Sequence, residues 1–329
     1  MTSPAPTTPT ADLYFARAHA AELARGRMAD GSPIRRHGAS VLALGDPPDR
    51  WVVLRDASPE TVRRILRTKP RALAVVVDDD ADAIARDPSQ PLPYRWRQWL
   101  LARRVAPLFG AATHALAPSR SLLERLRGKA PNATVMAIDP ALPNRLLPAL
   151  DHHDATEPLT LLLSDTRSHL ADIADAAPAI RAVLDANPTV RLVTYLGARA
   201  PVALRHARAE HREPLPWHEF EREAASQRAH ILLAPRRSTA VNAARSATRL
   251  LDAAAAGAVG LYGRVPAIAD AAAGDLPSWT HGNVDWAAAL QRLIDDGDER
   301  KRLATRTAAL ATRIGDIERQ RTVWTTILS

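Results

Sequence analysis

Short apolar runs alternate along this chain with stretches of helical periodicity, and that alternation constrains the fold more than any other feature. The runs of strand length are Trp51–Arg55, Ala72–Val77, Thr113–Ala117, Thr134–Ile138, Leu159–Leu163, Val190–Tyr195, His230–Ala234 and Ala258–Tyr262. Most are apolar on both faces, the pattern of strands buried within a parallel sheet. Helical stretches lie between and after them: Pro93–Pro107, Ser119–Arg127, His169–Ala186, Trp217–Ala229, Arg245–Gly257, Val284–Asp295, Asp298–Arg313 and Asp316–Leu328. Strand–helix alternation of this kind predicts βαβ units and a doubly wound α/β architecture. With 329 residues and 46% hydrophobic content there is material for two packed cores.

The segment 139–158 interrupts the pattern with Pro, Asp and His and no clear period, and the strand LTLLL follows it. The expected organisation is therefore a disordered Pro/Thr-rich tail over 1–12, a short first Rossmann-like domain over 13–145, a linker over 146–158 and a second domain over 159–329. The last helix is a candidate to pack back on the first domain. Ligands in such sheets sit at the carboxyl ends of the strands, so a cleft between two facing domains is the expected active site.

Charge is unevenly distributed. Residues 1–150 carry 22 Lys+Arg against 14 Asp+Glu, whereas residues 151–329 carry 22 of each. The whole excess of +8 lies in the first half, which points to an anionic partner there or to a composition that drifts basic. Cysteine is absent, which excludes disulfides, Cys-ligated zinc, iron–sulfur clusters and thiol catalysis. The opening residues lack the charged and apolar regions of a signal peptide, and no run of about 18 apolar residues exists. There is no GxGxxG after a strand, no P-loop and no GxSxG elbow. No DNA-binding motif is visible either, so nucleic acid would rest on charge alone.

Four groups of residues could carry chemistry. On a helix from Asn242 to Gly257, Arg245, Arg249 and Asp252 would share one face over roughly 10 Å at about 1.5 Å per residue. Two Arg near a helix start could hold a diphosphate while the Asp accepts from ribose hydroxyls; an exposed helix face with a surface Arg–Asp pair has the same spacing. The polar turn Ser164–Asp172 after LTLLL ends near His169, where a phosphate or reacting group could be met; an ordinary capping turn with a surface His reads the same. No second ligand at metal spacing stands beside His169. Asp78, Asp79 and Asp80 close a buried strand, where three carboxylates repel one another, so a use for one of them is expected. Tyr94–Arg104 interleaves Trp96 and Trp99 with Arg95, Arg97, Arg103 and Arg104, as a membrane interface or anionic acceptor would need; a helix with its Trp turned into the core is the other reading.

The order of these pieces resembles the GT-B glycosyltransferases of the kind called family one or four. LTLLLSDTRSHLADI is similar to the opening strand, turn and His-then-Asp helix start of their donor domain. PWHEFEREAASQRAHILLAP is similar to their helix and the strand ending in Ala-Pro. STAVNAARSATRLLDAAAAGAVGLYGRVPAI is similar to their Asn…Lys-Ser…Lys-x-x-Glu…Ala-x-Gly signature, and DWAAALQRLIDDGDERKRLATRTAALA to their closing helices. In the first half, VLRDASPETVRRIL, VVVDDDADAI and the Tyr94 helix leading to HALAPSRSLLERL resemble the acceptor domain of a bacterial branch associated with cell-surface polysaccharide.

The resemblance implies transfer of a sugar from a nucleotide-sugar donor to a hydroxyl of a glycan or lipid-linked acceptor, with no cofactor and no obligatory metal. It implies that Asp252 contacts ribose and that Arg245 and Arg249 take the diphosphate, helped by Ser246 and the helix start at Asn242. Thr166, Arg167, Ser168 and His169 would lie near the phosphates and sugar. Asp78, Asp79 and Asp80 would be on the acceptor side, with His169 and Asp79 as catalytic candidates. A cytoplasmic protein resting at the inner membrane face through Arg95, Trp96, Trp99, Arg103 and Arg104 is the matching location. The sequence departs from the family at Asp252, where Glu is usual, at Ala244, where a partner Glu is usual, and at His230, where Asp is usual. A non-catalytic GT-B protein that binds a nucleotide sugar or a partner enzyme is the alternative.

Overall fold

A computed structural model describes residues 8–142, 147–154 and 158–329. The chain divides into two compact units, one comprising Met1–Leu142 with Gly315–Ser329 and the other Pro143–Ile314.

The first unit opens with α1 (Pro9–Ala11), a five-residue π-helix (Asp12–Ala16) and α2 (Ala20–Arg25). Its strands are β1 (Ile34–Arg36), β2 (Val41–Gly45), β3 (Pro48–Leu54), β4 (Ala72–Val76), β5 (His114–Ala117) and β6 (Thr134–Ala137). They form one six-stranded sheet in chain order. The pairs β1–β2 and β2–β3 are antiparallel, and β3 to β6 run parallel. The crossovers are α3 (Pro59–Thr68), α4 (Ala81–Arg86), α5 (Leu92–Ala111) and α6 (Arg120–Lys129). Ser58 and Ser119 cap α3 and α6 by accepting from backbone N–H groups three residues on.

Strand order never reverses here. Right-handed crossovers that advance in one direction put all these helices on one face. The first unit is thus singly wound, a correction to the doubly wound expectation. Its apolar strands still need cover on the other face, and α14 (Ile317–Leu328) returns from the end of the chain to supply it against β4.

The second unit matches the doubly wound expectation. Its parallel strands are β7 (Leu159–Leu163), β8 (Val190–Thr194), β9 (Ala209–His211), β10 (Ile231–Ala234) and β11 (Val259–Tyr262), in the order β11-β10-β7-β8-β9. The order reverses between β7 and β10, which makes the carboxyl ends of these strands the switch point. Its helices are α7 (Leu170–Ala186), α8 (Trp217–Ser226), α9 (Ala240–Ala243), α10 (Thr248–Ala255), α11 (Pro266–Ala272), α12 (Trp286–Asp295) and α13 (Gly297–Ile314). On α7 the residues Ile173, Ala176, Ala177, Ile180, Val183 and Leu184 are buried, the stripe expected of a helix on a sheet.

Three expectations about the chain's organisation change. Of the tail over 1–12, residues 1–7 lie outside the described residues, but 8–12 are ordered. Thr8 caps α1, and buried Thr10 donates to Asp78 over 2.6 Å. Of the linker over 146–158, residues 146 and 155–157 lie outside the described residues. Its middle is a 3-10 turn, Asp151–Asp154, that buries His152 and His153. The units part at 142/143 rather than at 145, and again at 314/315, where the last helix joins the first unit.

The His152 and His153 rings lie 4.3 Å apart, and both meet His230 edge-on at 5.1 and 5.3 Å. The cluster sits at the amino ends of β7 and β10. His230 Nδ1 accepts from the Thr160 N–H, so its proton is on Nε2, which donates to the His152 carbonyl. His152 and His153 donate from Nε2 to the carbonyls of Ala229 and Gly257. Burial, reinforced by the neighbouring His and Arg300, holds His230 down to about 3, and burial holds His153 down to about 4. Unfolded histidines take up protons below about pH 6.5. Folded His230 and His153 refuse them, so their contribution to stability is full above that pH and declines as pH falls toward 4. The urea midpoint should therefore drop between pH 7.5 and 5. His230→Gln should flatten that decline, and an equal slope in the variant would remove His230 from the account.

Candidate functional site

The charged groups of the second unit converge at its switch point. Ser164 and Asp165 follow β7, Pro235 to Arg237 follow β10, and Gly263 and Arg264 follow β11. Asp165 is fully buried and paired in a fork with Arg236, both contacts being 2.6 Å. Arg249, from α10, adds a second guanidinium at 2.9 Å. These two cations hold the Asp165 carboxyl far below the usual carboxylate range against the opposing effect of burial. Arg249 also donates to Ser164 Oγ over 3.1 Å and pairs with Asp252 one turn along α10. The ends of β10 and β11 approach so closely that a Cβ on Gly263 would stand 2.2 Å from the Arg236 nitrogen. Only glycine fits there.

A second set of bonds centres on Asp172, in the first turn of α7. One of its oxygens lies 3.1 Å from His169 Nδ1. The other accepts from the Arg237 backbone N–H at 3.1 Å, Arg237 Nε at 3.3 Å and Asn242 Nδ2 at 2.9 Å. Asp172 is therefore stabilised as the carboxylate, with its pKa lowered. Burial, then the nearby Arg236, lowers His169 to about 4 despite that partner. The ring is neutral at pH 7. Its Nδ1–H faces Asp172, which leaves Nε2 unprotonated and free of that contact.

Beside these groups is an open pocket of about 370 Å³, lined among others by Asp172, Asp175, Arg236, Arg237, Arg264 and Trp286. Arg264 is exposed and donates to Asn283; the Arg237 side chain is one-third exposed. This arrangement offers cations for an anion and carboxylates for hydroxyls within one concavity.

The sequence-predicted residues are distributed unevenly. His169, Asn242, Arg249 and Asp252 lie at or beside the switch point. The continuous helix expected from Asn242 to Gly257 is broken, because Ala244 to Ala247 lie between α9 and α10 and belong to neither. Arg245 thus does not share a helix with Arg249 and Asp252, and the 10 Å spacing along one axis does not apply. Thr239, not Asn242, is the N-cap of α9, and Asn242 is buried with its amide on Asp172. Ser246 accepts from the Thr248 N–H at the entry to α10. Asp252 is engaged with Arg249 rather than open to solvent on a helix face. Thr166 and Ser168 hydroxyls meet at 3.0 Å in the 3-10 turn Arg167–His169, where Thr166 and Arg167 are exposed. Asp165, Asp172, Arg236, Arg237 and Arg264 were not singled out from the sequence, although each follows a strand or opens a helix at the sheet's carboxyl edge.

In the first unit, Asp78 and Asp79 face Arg55, at 3.6 and 2.8 Å. Burial and the neighbouring Asp79 raise the Asp78 carboxyl, opposed by Arg55 and the Thr10 hydroxyl. Asp80 has structural partners. It caps α4 through the Ala83 N–H and pairs with Arg125. Arg95 and Arg104 are turned to other work than an anionic contact: Arg95 donates to the Ala85 carbonyl and Arg104 to Asp56. Trp96, Trp99 and Arg103 are exposed on α5.

No protein-family model matches this sequence, and no curated protein matches it. Solved structures do. The chain is similar to a TarM variant of S. aureus crystallised with fondaparinux, α-GlcNAc-glycerol and UDP, with TM-score 0.59, 5% identity, and 82% of this chain and 54% of that one covered. It is also similar to a UDP-forming α,α-trehalose-phosphate synthase from Burkholderia vietnamiensis, with TM-score 0.52, 10% identity, and 82% and 71% covered. A third likeness is to the N-terminal domain of Candida albicans trehalose-6-phosphate phosphatase, with TM-score 0.51, 9% identity, and 81% and 68% covered. The chain has the GT-B fold, with two α/β units of Rossmann-like type.

Proposed function

We propose that the second unit binds a nucleoside diphosphate sugar and that the protein transfers the sugar to an acceptor hydroxyl. The observation that carries this reading is the 370 Å³ pocket at the carboxyl ends of β10 and β11, with Arg236, Arg237 and Arg264 beside Asp172 and Asp175. Its volume lies within the usual ligand range of about 300–1,000 Å³. Two GT-B neighbours support the ligand class: one was crystallised with UDP and another is described as UDP-forming.

In the proposed reaction the bond from the anomeric carbon to the diphosphate oxygen breaks and a bond to the acceptor oxygen forms. The transition state is oxocarbenium-like, so positive charge on the departing diphosphate is the main aid that the site can give. Arg237 and Arg264 are the accessible cations for that task. Arg249 and Asp252 stay the candidates for diphosphate and ribose, and a bound donor would exchange their mutual contact for contacts to itself. Neutral His169, oriented by Asp172, is the candidate to meet the sugar or the acceptor proton. Asp79 is the candidate for acceptor contact. This reading needs no metal. The acceptor class proposed is a glycan or lipid-linked hydroxyl.

One observation favours a second reading, a GT-B protein that binds a donor without turning it over. Asp165, Arg236, Arg249 and Asp252 already satisfy one another, and Ala244 supplies no carboxylate.

Thermal-shift screening against UDP, GDP, dTDP, CMP and their sugars, with magnesium and with chelator, tests the donor site. One nucleotide should stabilise the protein by about 2.7 kcal/mol at a hundredfold excess over its Kd. Arg237→Ala with Arg264→Ala should weaken it by at least tenfold, since charged hydrogen bonds contribute about 1.5–3 kcal/mol each. No shift from any nucleotide would overturn the donor reading. A shift without hydrolysis or transfer would select the non-catalytic one.

A further inference from the structure

Four of the five large apolar side chains exposed among the described residues lie on one helix, α5: Leu92 at 73%, Trp96 at 60%, Leu100 at 45% and Trp99 at 36%. They recur at helical spacing on the face opposite buried Gln98, Val105, Leu108 and Phe109. A 20-residue helix that packs one face on its own unit ordinarily presents charged and polar side chains on the other. Here the outward face is apolar and aromatic. Trp96 and Trp99 stack at 4.7 Å, and the Arg103 guanidinium lies 4.8 Å from the Trp99 ring centre.

The charge of this helix is one-sided. Residues 92–111 hold four Arg and no acidic residue. Arg95 and Arg104 bond within the unit, as described above. Arg97 and Arg103 are exposed and rest on the rings of Tyr94 and Trp99, with no carboxylate beside them among the described residues. The same half of the chain holds all of its excess positive charge. Among the described residues no helix is long and apolar enough to cross a membrane, so a contact with lipid through this helix would be interfacial.

We propose that the outward face of α5 docks on an anionic phospholipid surface, with Leu92, Trp96, Trp99 and Leu100 in the headgroup–acyl boundary and Arg97 and Arg103 on lipid phosphates. Indole rings favour that boundary because one edge is polar and the body is apolar. A single-stranded nucleic acid would also use the Trp and Arg, but it has no use for two exposed leucines. This docking is independent of the donor site, so either assignment can fail alone.

Flotation of the full chain with vesicles of phosphatidylcholine, with and without 30% phosphatidylglycerol, tests the proposal. The protein should float with the anionic vesicles and not with the neutral ones, and added salt should weaken the binding. Arg97→Gln with Arg103→Gln should lower the partition coefficient by about 25-fold, roughly fivefold for each charge removed. Trp96→Ala with Trp99→Ala should release the protein as well, while its circular dichroism and thermal midpoint stay as in the parent. Absence of flotation, or flotation that ignores all four substitutions, would overturn the proposal. Self-association that Trp96→Ala abolishes, without vesicle binding, would overturn it and give this face to a second copy of the chain.

Discussion

Asp165→Ala is expected to cost about 3–5 kcal/mol of stability, the usual result of removing one partner from a buried ion pair. Arg236, whose side chain is 3% exposed, would keep its charge with no carboxylate opposite it. Arg249 would fare better because Asp252 still pairs with it. Urea unfolding at pH 7 would show the loss as a lower midpoint. A loss under about 1 kcal/mol would mean that water from the adjacent pocket hydrates the freed guanidinium. The pH signature of Asp165 is distinct from that of the histidine cluster. Asp165 is held below the ordinary carboxylate value, so its contribution is complete above about pH 3.9 and disappears only in stronger acid. A decline between pH 6.5 and 4 therefore belongs to the histidines held low, and His169, which feels the Asp165 charge, is one of them, so the share of His230 is read from His230→Gln and not from Asp165→Ala.

Trp324→Ala should be as costly to the first unit, about 3–5 kcal/mol, because a fully buried indole leaves a large cavity. Trp324 is 0% exposed, sits edge-on to Phe15 at 5.0 Å and donates from Nε1 to the Tyr14 carbonyl over 2.8 Å. Gln320 supports the same contact by donating to the carbonyls of Leu13 and Asp139. Removing the indole also leaves the Tyr14 carbonyl without that donor. Calorimetry of the full chain is the measurement. A midpoint that stays in place would mean that α14 is not needed to complete the sheet's second face.

Much of the fold was legible because its strands are buried on both sides. LTLLL, ALAVVV and HILLA carry no apolar–polar alternation, and each runs parallel to both of its neighbours, as that pattern requires. IRR and AEH, which form the edge strands β1 and β9, carry no such signal, since an edge strand needs little burial to be held by its neighbour. The singly wound order of the first unit was not legible either. Local pattern sets where a strand is, and the order of strands is set by which helix faces can be covered.

The site was legible in part for a related reason. NAARSATRL reads as continuous helix because Ala, Arg and Leu favour it. Tertiary bonds break it: the Asn242 amide turns to Asp172 and the Arg237 carbonyl, and Ser246 starts a new helix. Arg236 and Asp165 stand 71 residues apart in the chain. Their pairing follows only once β10 is known to lie beside β7. Position at the carboxyl end of a strand was the available signal, and it applied to PRRS as much as to SDTRS.

The first unit is built from both ends of the described chain, with residues 143–314 inserted between its sixth strand and its last helix. On the ribosome, those earlier strands emerge with one apolar sheet face bare. At about 5–20 residues per second they wait roughly 10–40 s before α14 has been synthesised. The inserted unit is contiguous and can finish folding during that interval. Chaperone demand in this protein should thus centre on the half made first, and it should end once Ile317–Leu328 arrives to cover that face.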